Sequence, residues 1–245
     1  MTAVAQAAVE APRIDVGWVV RATWRICRDR AWQLFLLSVP FVVIPQALAG
    51  LLPQELSRLG VVAGLPALVF GGGATLMGYR TLTDGEPLSA WEAARAGGAR
   101  FGSLWGLGFI SSIGVGLGIL LLVVPGVILL AGWLPATAVL MVEQKTTYAS
   151  LDRSWALSRG SRWRLAGLLG LAVVATAGIL IAAIAVGLVI TLTAGEPVGD
   201  TLMTFAMIPL VVAMLQAVFA TGATAAYVAL RRAKEGVSDV ATVFD

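Results

Sequence analysis

The chain has 245 residues, of which 58% are hydrophobic and 13% charged, and its formal net charge is +3. The charged fraction is about half that of a soluble domain, too little to cover a water-facing globular surface. The sequence contains no histidine and one cysteine, Cys27, which we expect to serve in packing. This composition excludes a disulfide framework, Cys/His zinc sites, haem ligation by histidine and catalysis by imidazole. It indicates an integral membrane protein.

The N-terminal residues 1–12 have neither the basic start nor the apolar run of a secretory signal. We expect them to be disordered and to be retained. Residues 13–236 are predicted to form a single membrane domain, and residues 237–245 a cytoplasmic tail.

Hydrophobic stretches of membrane-spanning length organise this domain. A bilayer core about 30 Å thick requires about 20 apolar residues per helix. Six stretches without charged residues approach or exceed that length, at 31–52, 59–79, 103–124, 126–142, 165–193 and 201–230. Pro125 and Gly126 separate the third stretch from the fourth and predict a tight helical hairpin. A single kinked span is the alternative.

The basic residues are divided unevenly between the two sets of connecting segments. Sixteen of the 17 Lys and Arg residues lie in one set, which includes both termini, and the other set holds only Arg58, with Glu55, Glu196 and Asp200. Short cytoplasmic loops are enriched in Lys and Arg, so we predict six spans with cytoplasmic termini. An odd number of spans would break this partition, which therefore favours the hairpin.

A Trp-x3-Arg spacing recurs in the basic segments. Its copies are Trp24 with Arg28 and then Trp32, Trp91 with Arg95, and Trp155 with Arg159 and then Trp163. The spacing predicts three repeats, 14–80, 81–145 and 146–232, each a short helix followed by two spans.

The short helices are predicted to be amphipathic and to lie in the membrane interface. In the first, Val16, Val20, Trp24 and Cys27 share one side, and arginines flank it. Such a helix directs its arginines toward lipid phosphates, and Gly160 is predicted to end the third copy. The predicted phosphate and interface anchors are Arg28, Arg159, Arg162, Arg164, Trp24, Trp32, Trp155 and Trp163. Their division among juxtamembrane loops argues against nucleic-acid binding.

The middles of the predicted spans carry no charged residue, which argues against ion-coupled transport. Among the polar residues inside the spans are Gln46 and Gln216, which we interpret as interhelical hydrogen-bonding groups, with a permeation pathway as the alternative. Glycine clusters at 71–73 and 114–118 lie in apolar stretches and favour close helix packing over nucleotide binding.

Carboxylates near the basic segments are the candidates for acid–base or metal chemistry. They are Asp84, Glu86, Glu92, Glu143 and Asp152. Their spacing matches no ligand motif, so we expect no metal, no cofactor and no catalytic residues. A membrane-embedded enzyme remains a lesser alternative.

The segment ASLDRSWALSRGSRWRL at 149–165, the preceding proline-glycine hairpin and the closing AYVALRRAKEG at 226–236 resemble a known family. It is the membrane domain of some bacterial glycerophosphodiester phosphodiesterases, together with related stand-alone inner-membrane proteins of unknown function. The resemblance covers about residues 14–236 and implies a six-helix integral membrane module. It does not imply phosphodiesterase activity, which belongs to a separate soluble domain that uses histidines.

We therefore expect an all-α polytopic protein of the bacterial cytoplasmic membrane, with six transmembrane helices in three hairpins, each preceded by an interfacial helix. The expected role is a non-enzymatic module that interacts with membrane lipids, anionic headgroups or a membrane partner, including a second copy, and supports envelope or phospholipid homeostasis. A transporter or channel for a small or lipidic solute is the alternative.

Overall fold

The computed structural model describes residues 14–51, 64–83 and 85–235. Every regular element in these ranges is a helix, which confirms the predicted all-α class. The predicted disordered segment 1–12, the tail 237–245, Arg13, Glu55, Arg58 and Asp84 lie outside the described residues. In chain order the helices are α1 Val16–Asp29, α2 Ala31–Ala49, α3 Pro66–Leu82, α4 Ala90–Ala99, α5 Phe101–Leu121, α6 Val123–Val142, α7 Thr147–Ser158, α8 Arg162–Ala194 and α9 Glu196–Glu235.

Five of these helices, α2, α5, α6, α8 and α9, are long and apolar enough to cross a membrane by length and composition. The described part of α3 has 17 residues, and the start of its predicted span at residue 59 lies outside the described ranges. Large apolar side chains cover the outer surface of α8, where Val173 and Ile181 are each 67% exposed. Soluble monomers rarely expose apolar patches larger than a few hundred Å², so this surface indicates a membrane-embedded protein.

Helices α5 and α6 run antiparallel and pack closely. Gly118 lies against Gly126, where a Cβ built on Gly118 would be 2.9 Å from the Gly126 Cα atom. The chain reverses at Leu122, whose backbone is extended, and not at Pro125-Gly126 as the sequence suggested. Pro125 instead occupies the first turn of α6, where the N–H that proline lacks would have had no helical partner.

Helices α2 and α9 each contain a π-helical turn directly before an Ile-Pro pair. Val39–Val43 precedes Pro45, and Met203–Met207 precedes Pro209. Proline cannot donate a backbone hydrogen bond, and its ring clashes with the carbonyl four residues earlier, so a wider turn accommodates it. The two helices contact each other along these segments.

The short helix α1 packs into the bundle with a face that differs from the predicted one. Val19, Ala22 and Ile26 are buried, and α1 lies against α9 and α3. Trp24, assigned to the apolar side from the sequence, is 69% exposed. Helix α1 therefore has two apolar sides, one in the protein core and one directed outward.

Helices α3 and α4 approach closely because glycines line their contact. A Cβ on Gly73 would lie 2.7 Å from the carbonyl oxygen of Ala93, and one on Gly97 would collide with the carbonyl oxygen of Val69. These neighbours are backbone atoms that cannot rotate away. The short helix is thereby fixed against the long one.

We expect G97A to destabilise the protein by about 1–3 kcal/mol, because the added methyl forces α3 and α4 apart. The control is G98A on the same helix, since a Cβ on Gly98 meets nothing within 4 Å. It should be neutral or stabilising by up to about 1 kcal/mol, the difference in helix propensity. Thermal unfolding of the detergent-purified variants measures both effects. Equal unfolding temperatures for the two variants would contradict the packing shown by the structure.

Candidate functional site

The structure brings separate basic segments together at one end of the helices. Arg232 of α9 donates a hydrogen bond to the carbonyl of Leu82 at 3.3 Å, and Lys234 donates to the carbonyl of Arg159 at 2.7 Å. We call this region the basic end; it comprises residues 14–30, 80–83, 85–101, 143–164 and 231–235. Within the described ranges, it contains every Lys and Arg.

Glu143 is the centre of an ion-pair network at the basic end. Its side chain is 15% exposed and lies 3.0 Å from the Lys145 Nζ atom and 3.3 Å from the Arg153 Nε atom. The hydroxyl of Tyr227 donates to the same carboxylate at 3.0 Å. Arg153 also pairs with Glu235. The network therefore joins the end of α6 to α7 and to the end of α9.

The pKa of Glu143 lies below its ordinary value. Burial raises this pKa, but hydrogen bonds from Lys145 and Tyr227 and the positive charge of Arg153 outweigh burial. The carboxylate is consequently charged throughout the neutral and mildly acidic range, which suits a structural ion pair better than a proton donor.

We expect E143Q to lower the free energy of unfolding by about 1–3 kcal/mol at neutral pH, since Lys145, Arg153 and Tyr227 lose a charged partner. A depressed folded-state pKa stabilises the protein above the unfolded pKa, about 4.3, and this contribution is lost as the pH falls through the folded pKa. The difference between wild type and E143Q should therefore shrink on acidification. Thermal unfolding in detergent measures it, and the exposed Asp152 provides the control D152N. An E143Q variant indistinguishable from D152N at neutral pH would refute this role.

Several predicted anchors face outward. Trp24, Trp32 and Trp163 are 69%, 65% and 74% exposed, and Arg28 and Arg159 are also exposed. Outward-facing tryptophans next to arginines match the composition of membrane interfaces, where amphipathic rings and cations are favoured.

The other predicted anchors make contacts within the protein. Trp155 is half-buried, and its ring occupies the space over Gly132. The guanidinium of Arg162 lies 3.5 Å from the centre of that ring, a cation–π contact. Arg164 donates to the carbonyl of Ile14 at 3.3 Å. Part of the third copy of the repeat therefore packs within the protein, because Gly132 leaves room for the Trp155 ring.

The second copy of the repeat resembles the first. Trp91 is 68% exposed, and the guanidinium of Arg95 lies 5.4 Å from its ring centre.

Gly160 has a φ of +83° between α7 and α8, which confirms the predicted helix end.

The remaining predicted polar residues differ in burial and in bonding. Gln46 in α2 and Gln216 in α9 are half-buried. Glu92 caps α4 through reciprocal hydrogen bonds with Ser89, whereas Glu86 and Asp152 are exposed. Among the described residues no three His, Cys, Asp or Glu side chains form a cluster able to hold a metal ion.

A cavity of about 640 Å³ opens between α1, α2, α8 and α9, and we call it the lateral groove. Trp24 and Cys27 of α1 lie at one end. The walls are formed largely by Leu34 and Phe35 of α2, 168–179 of α8 and 210–223 of α9, and none of the lining residues is charged. The groove exists because α8 is little buried along its length and leaves the facing sides of α2 and α9 uncovered.

Most of the few polar groups in the lateral groove are bonded within the protein. Thr23 donates to the carbonyl of Val19 at 2.8 Å, and Ser38 donates to the carbonyl of Phe35 at 2.8 Å. The thiol of Cys27 lies 3.4 Å from the Thr221 hydroxyl, and burial raises the pKa of this thiol although the hydrogen bond between the two groups lowers it. The groove consequently presents an apolar surface.

Comparison with protein-family models, with curated proteins and with solved structures finds no match to this chain. The resemblance to the membrane domain of glycerophosphodiester phosphodiesterases therefore stays a prediction. It depends on the quoted residues at 149–165 and 226–236.

Sequence reasoning identified Glu143 as a candidate without its partners and did not identify the lateral groove. The bond from Tyr227 to Glu143 joins residues 84 positions apart, and no spacing rule predicts such a pair. The available signal was the tyrosine itself, which lies near the end of an apolar stretch and four residues before Arg231.

Proposed function

We propose that this protein is a non-enzymatic integral protein of a bacterial cytoplasmic membrane whose basic end engages anionic lipid headgroups. It crosses the membrane six times in three hairpins, each preceded by an interfacial helix, and both termini are cytoplasmic. Its role is to support envelope or phospholipid homeostasis by binding lipid or by holding a membrane partner.

The convergence of the basic segments carries this proposal. Four stretches far apart in the chain meet at one end of the helices, as the contacts of Arg232 with Leu82, of Lys234 with Arg159 and of Arg164 with Ile14 show. At the opposite end the described turns at 121–123 and 194–196 carry one charged residue, Glu196. A cytoplasmic surface rich in Lys and Arg accounts for this asymmetry, and the exposed Trp24, Trp91 and Trp163 of the basic end fit an interfacial belt.

Sidedness predicts which positions a membrane-impermeant maleimide reaches in intact cells. In a C27S background we expect E196C, in the turn between α8 and α9, to be labelled from outside. D152C on α7 should react only after the membrane is permeabilised. Both positions are exposed in the structure, so the comparison reports the membrane side and not burial. Labelling of D152C in intact cells would reverse the orientation and remove the basis for an inner-leaflet function.

Lipid engagement predicts selective retention of anionic phospholipid. Each arginine near an anionic surface contributes about 1 kcal/mol, so R28Q/R159Q should retain several-fold less phosphatidylglycerol than wild type after purification in mild detergent. R28K/R159K keeps the charges and serves as the matched control. Native mass spectrometry measures the bound lipid. Retention that does not depend on these charges, or on the lipid charge in wild type, would contradict the proposal.

The lateral groove supports one alternative, a transporter for a lipidic solute. Its lining carries no charged side chain, which suits an apolar cargo better than an ion or a polar metabolite. Reconstituted vesicles that contain a fluorescent phospholipid distinguish the two functions, because a transporter accelerates its movement between leaflets and a binding module does not.

A further inference from the structure

We propose that the lateral groove is a specific lipid site that holds one acyl chain of an anionic phospholipid, with the phosphate beside Arg28. This inference rests on the proposed membrane location and orientation. It adds the class of ligand, the place where the chain lies and the residue that selects the headgroup.

The dimensions of the groove match one leaflet of a bilayer. Its α8 wall extends from Leu168 to Ile179, which at the helical rise of 1.5 Å per residue is about 16 Å. The hydrocarbon core is about 30 Å thick, so this wall covers about half of it. The cavity of about 640 Å³ lies within the range of small-molecule sites, about 300–1,000 Å³.

The surface of the groove selects an apolar occupant. Its walls are largely aliphatic and aromatic, and of its three hydroxyls those of Thr23 and Ser38 are already bonded to carbonyls of their own helices, which leaves that of Thr176. A polar solute would lose its hydration and gain few hydrogen bonds. An acyl chain loses nothing in this way and gains contact with the walls.

The charge at one end of the groove selects an anionic headgroup. Trp24 lines that end, and Arg21 and Arg28 lie three residues before it and four residues after it, on the same side of α1. Both arginines are exposed, and their partners Asp15 and Asp29 are 3.5 Å away on the surface. Exposed ion pairs of this kind are worth about 0–1 kcal/mol, so a lipid phosphate can replace the carboxylate.

The first Trp-x3-Arg copy differs in this respect from the second. Trp91 and Arg95 have the same spacing and a similar exposure, but neither lines the lateral groove. Arg95 is therefore an internal control, an exposed arginine with the same spacing that lies outside the lateral groove.

Photocrosslinking tests the site on the full-length protein in nanodiscs of phosphatidylethanolamine that contain a minor fraction of phosphatidylglycerol with a mid-chain diazirine. We expect crosslinks on peptides that contain 168–179 and 210–223. A175W should reduce them about tenfold, because the indole fills the groove. A177W places the same side chain on an exposed position of α8 outside the groove and should leave them unchanged.

The same experiment tests whether Arg28 selects an anionic headgroup. R28Q should reduce the crosslinking of phosphatidylglycerol several-fold relative to the same probe made with phosphatidylcholine, and R95Q should not.

If A175W does not fold, A175F replaces it as a smaller filling side chain.

Two outcomes would overturn the proposal and identify what replaces it. Equal loss with A175W and A177W, or crosslinks spread over all outer helices, would show that lipid associates without a specific site, which leaves the proposed function intact. A dimer that A175W dissociates, without any lipid crosslink in the groove, would assign the groove to a second copy of the chain. Failure of the proposed function itself is detected separately, by the R28Q/R159Q retention measurement.

Discussion

The structure depends on the exclusion of charge from the middle of its long helices. Helices α2, α5 and α6 contain no charged residue, and those of α8 and α9 lie near the helix ends. A charge at the centre of a bilayer costs about 2.5–3.5 kcal/mol or more, so cations and carboxylates collect where they can be solvated or paired. Glu143 shows the result, since Lys145, Arg153 and Tyr227 all converge on it where α6 ends.

Glycines let the backbones of neighbouring helices approach closely at several contacts, beside a core of large buried side chains such as Phe70 and Leu140. Gly97 lies against the backbone of Val69, and Gly118 lies against Gly126. In contrast, Gly167 and Gly178 of α8 have no described atom within 4 Å of a built Cβ. The glycines in the first half of α8 therefore make no close contact within the described chain, whereas Gly187 further along the helix lies against the side chain of Met203. Because this part of α8 does not pack tightly against α2 and α9, the lateral groove remains open between them.

The short helices of the three predicted repeats meet the bundle in different ways. In α1 and α4 the repeated tryptophan points outward. In α7 it packs on Gly132, while Ser154 donates a hydrogen bond to the Gly132 carbonyl at 2.8 Å. Three serines at four-residue spacing, Ser150, Ser154 and Ser158, are fully buried along α7. Small side chains on α7 and the glycine on α6 let these two helices pack closely.

The exposed Trp24 shows where the lateral groove lies relative to the basic end. Trp24 lies at the end of the groove and beside the arginines of α1, so the apolar cavity begins where the basic surface ends. A ligand with a long apolar part and a compact anionic part meets both surfaces at once. The two halves of such a ligand need not be recognised by separate sites.

Local pattern alone determined the helical class, the approximate extent of the apolar segments and the helix end at Gly160. These properties depend on hydrophobic runs and backbone preferences that act over a few residues. The turn at Leu122 was misplaced by three residues because the sequence rule for proline does not distinguish a turn from the first turn of a helix. Only the tertiary structure decided that Trp155 faces inward, that Tyr227 bonds Glu143 and that a groove lies beside α8. Each of these depends on which helices become neighbours, and that choice is made by packing between residues distant in the chain.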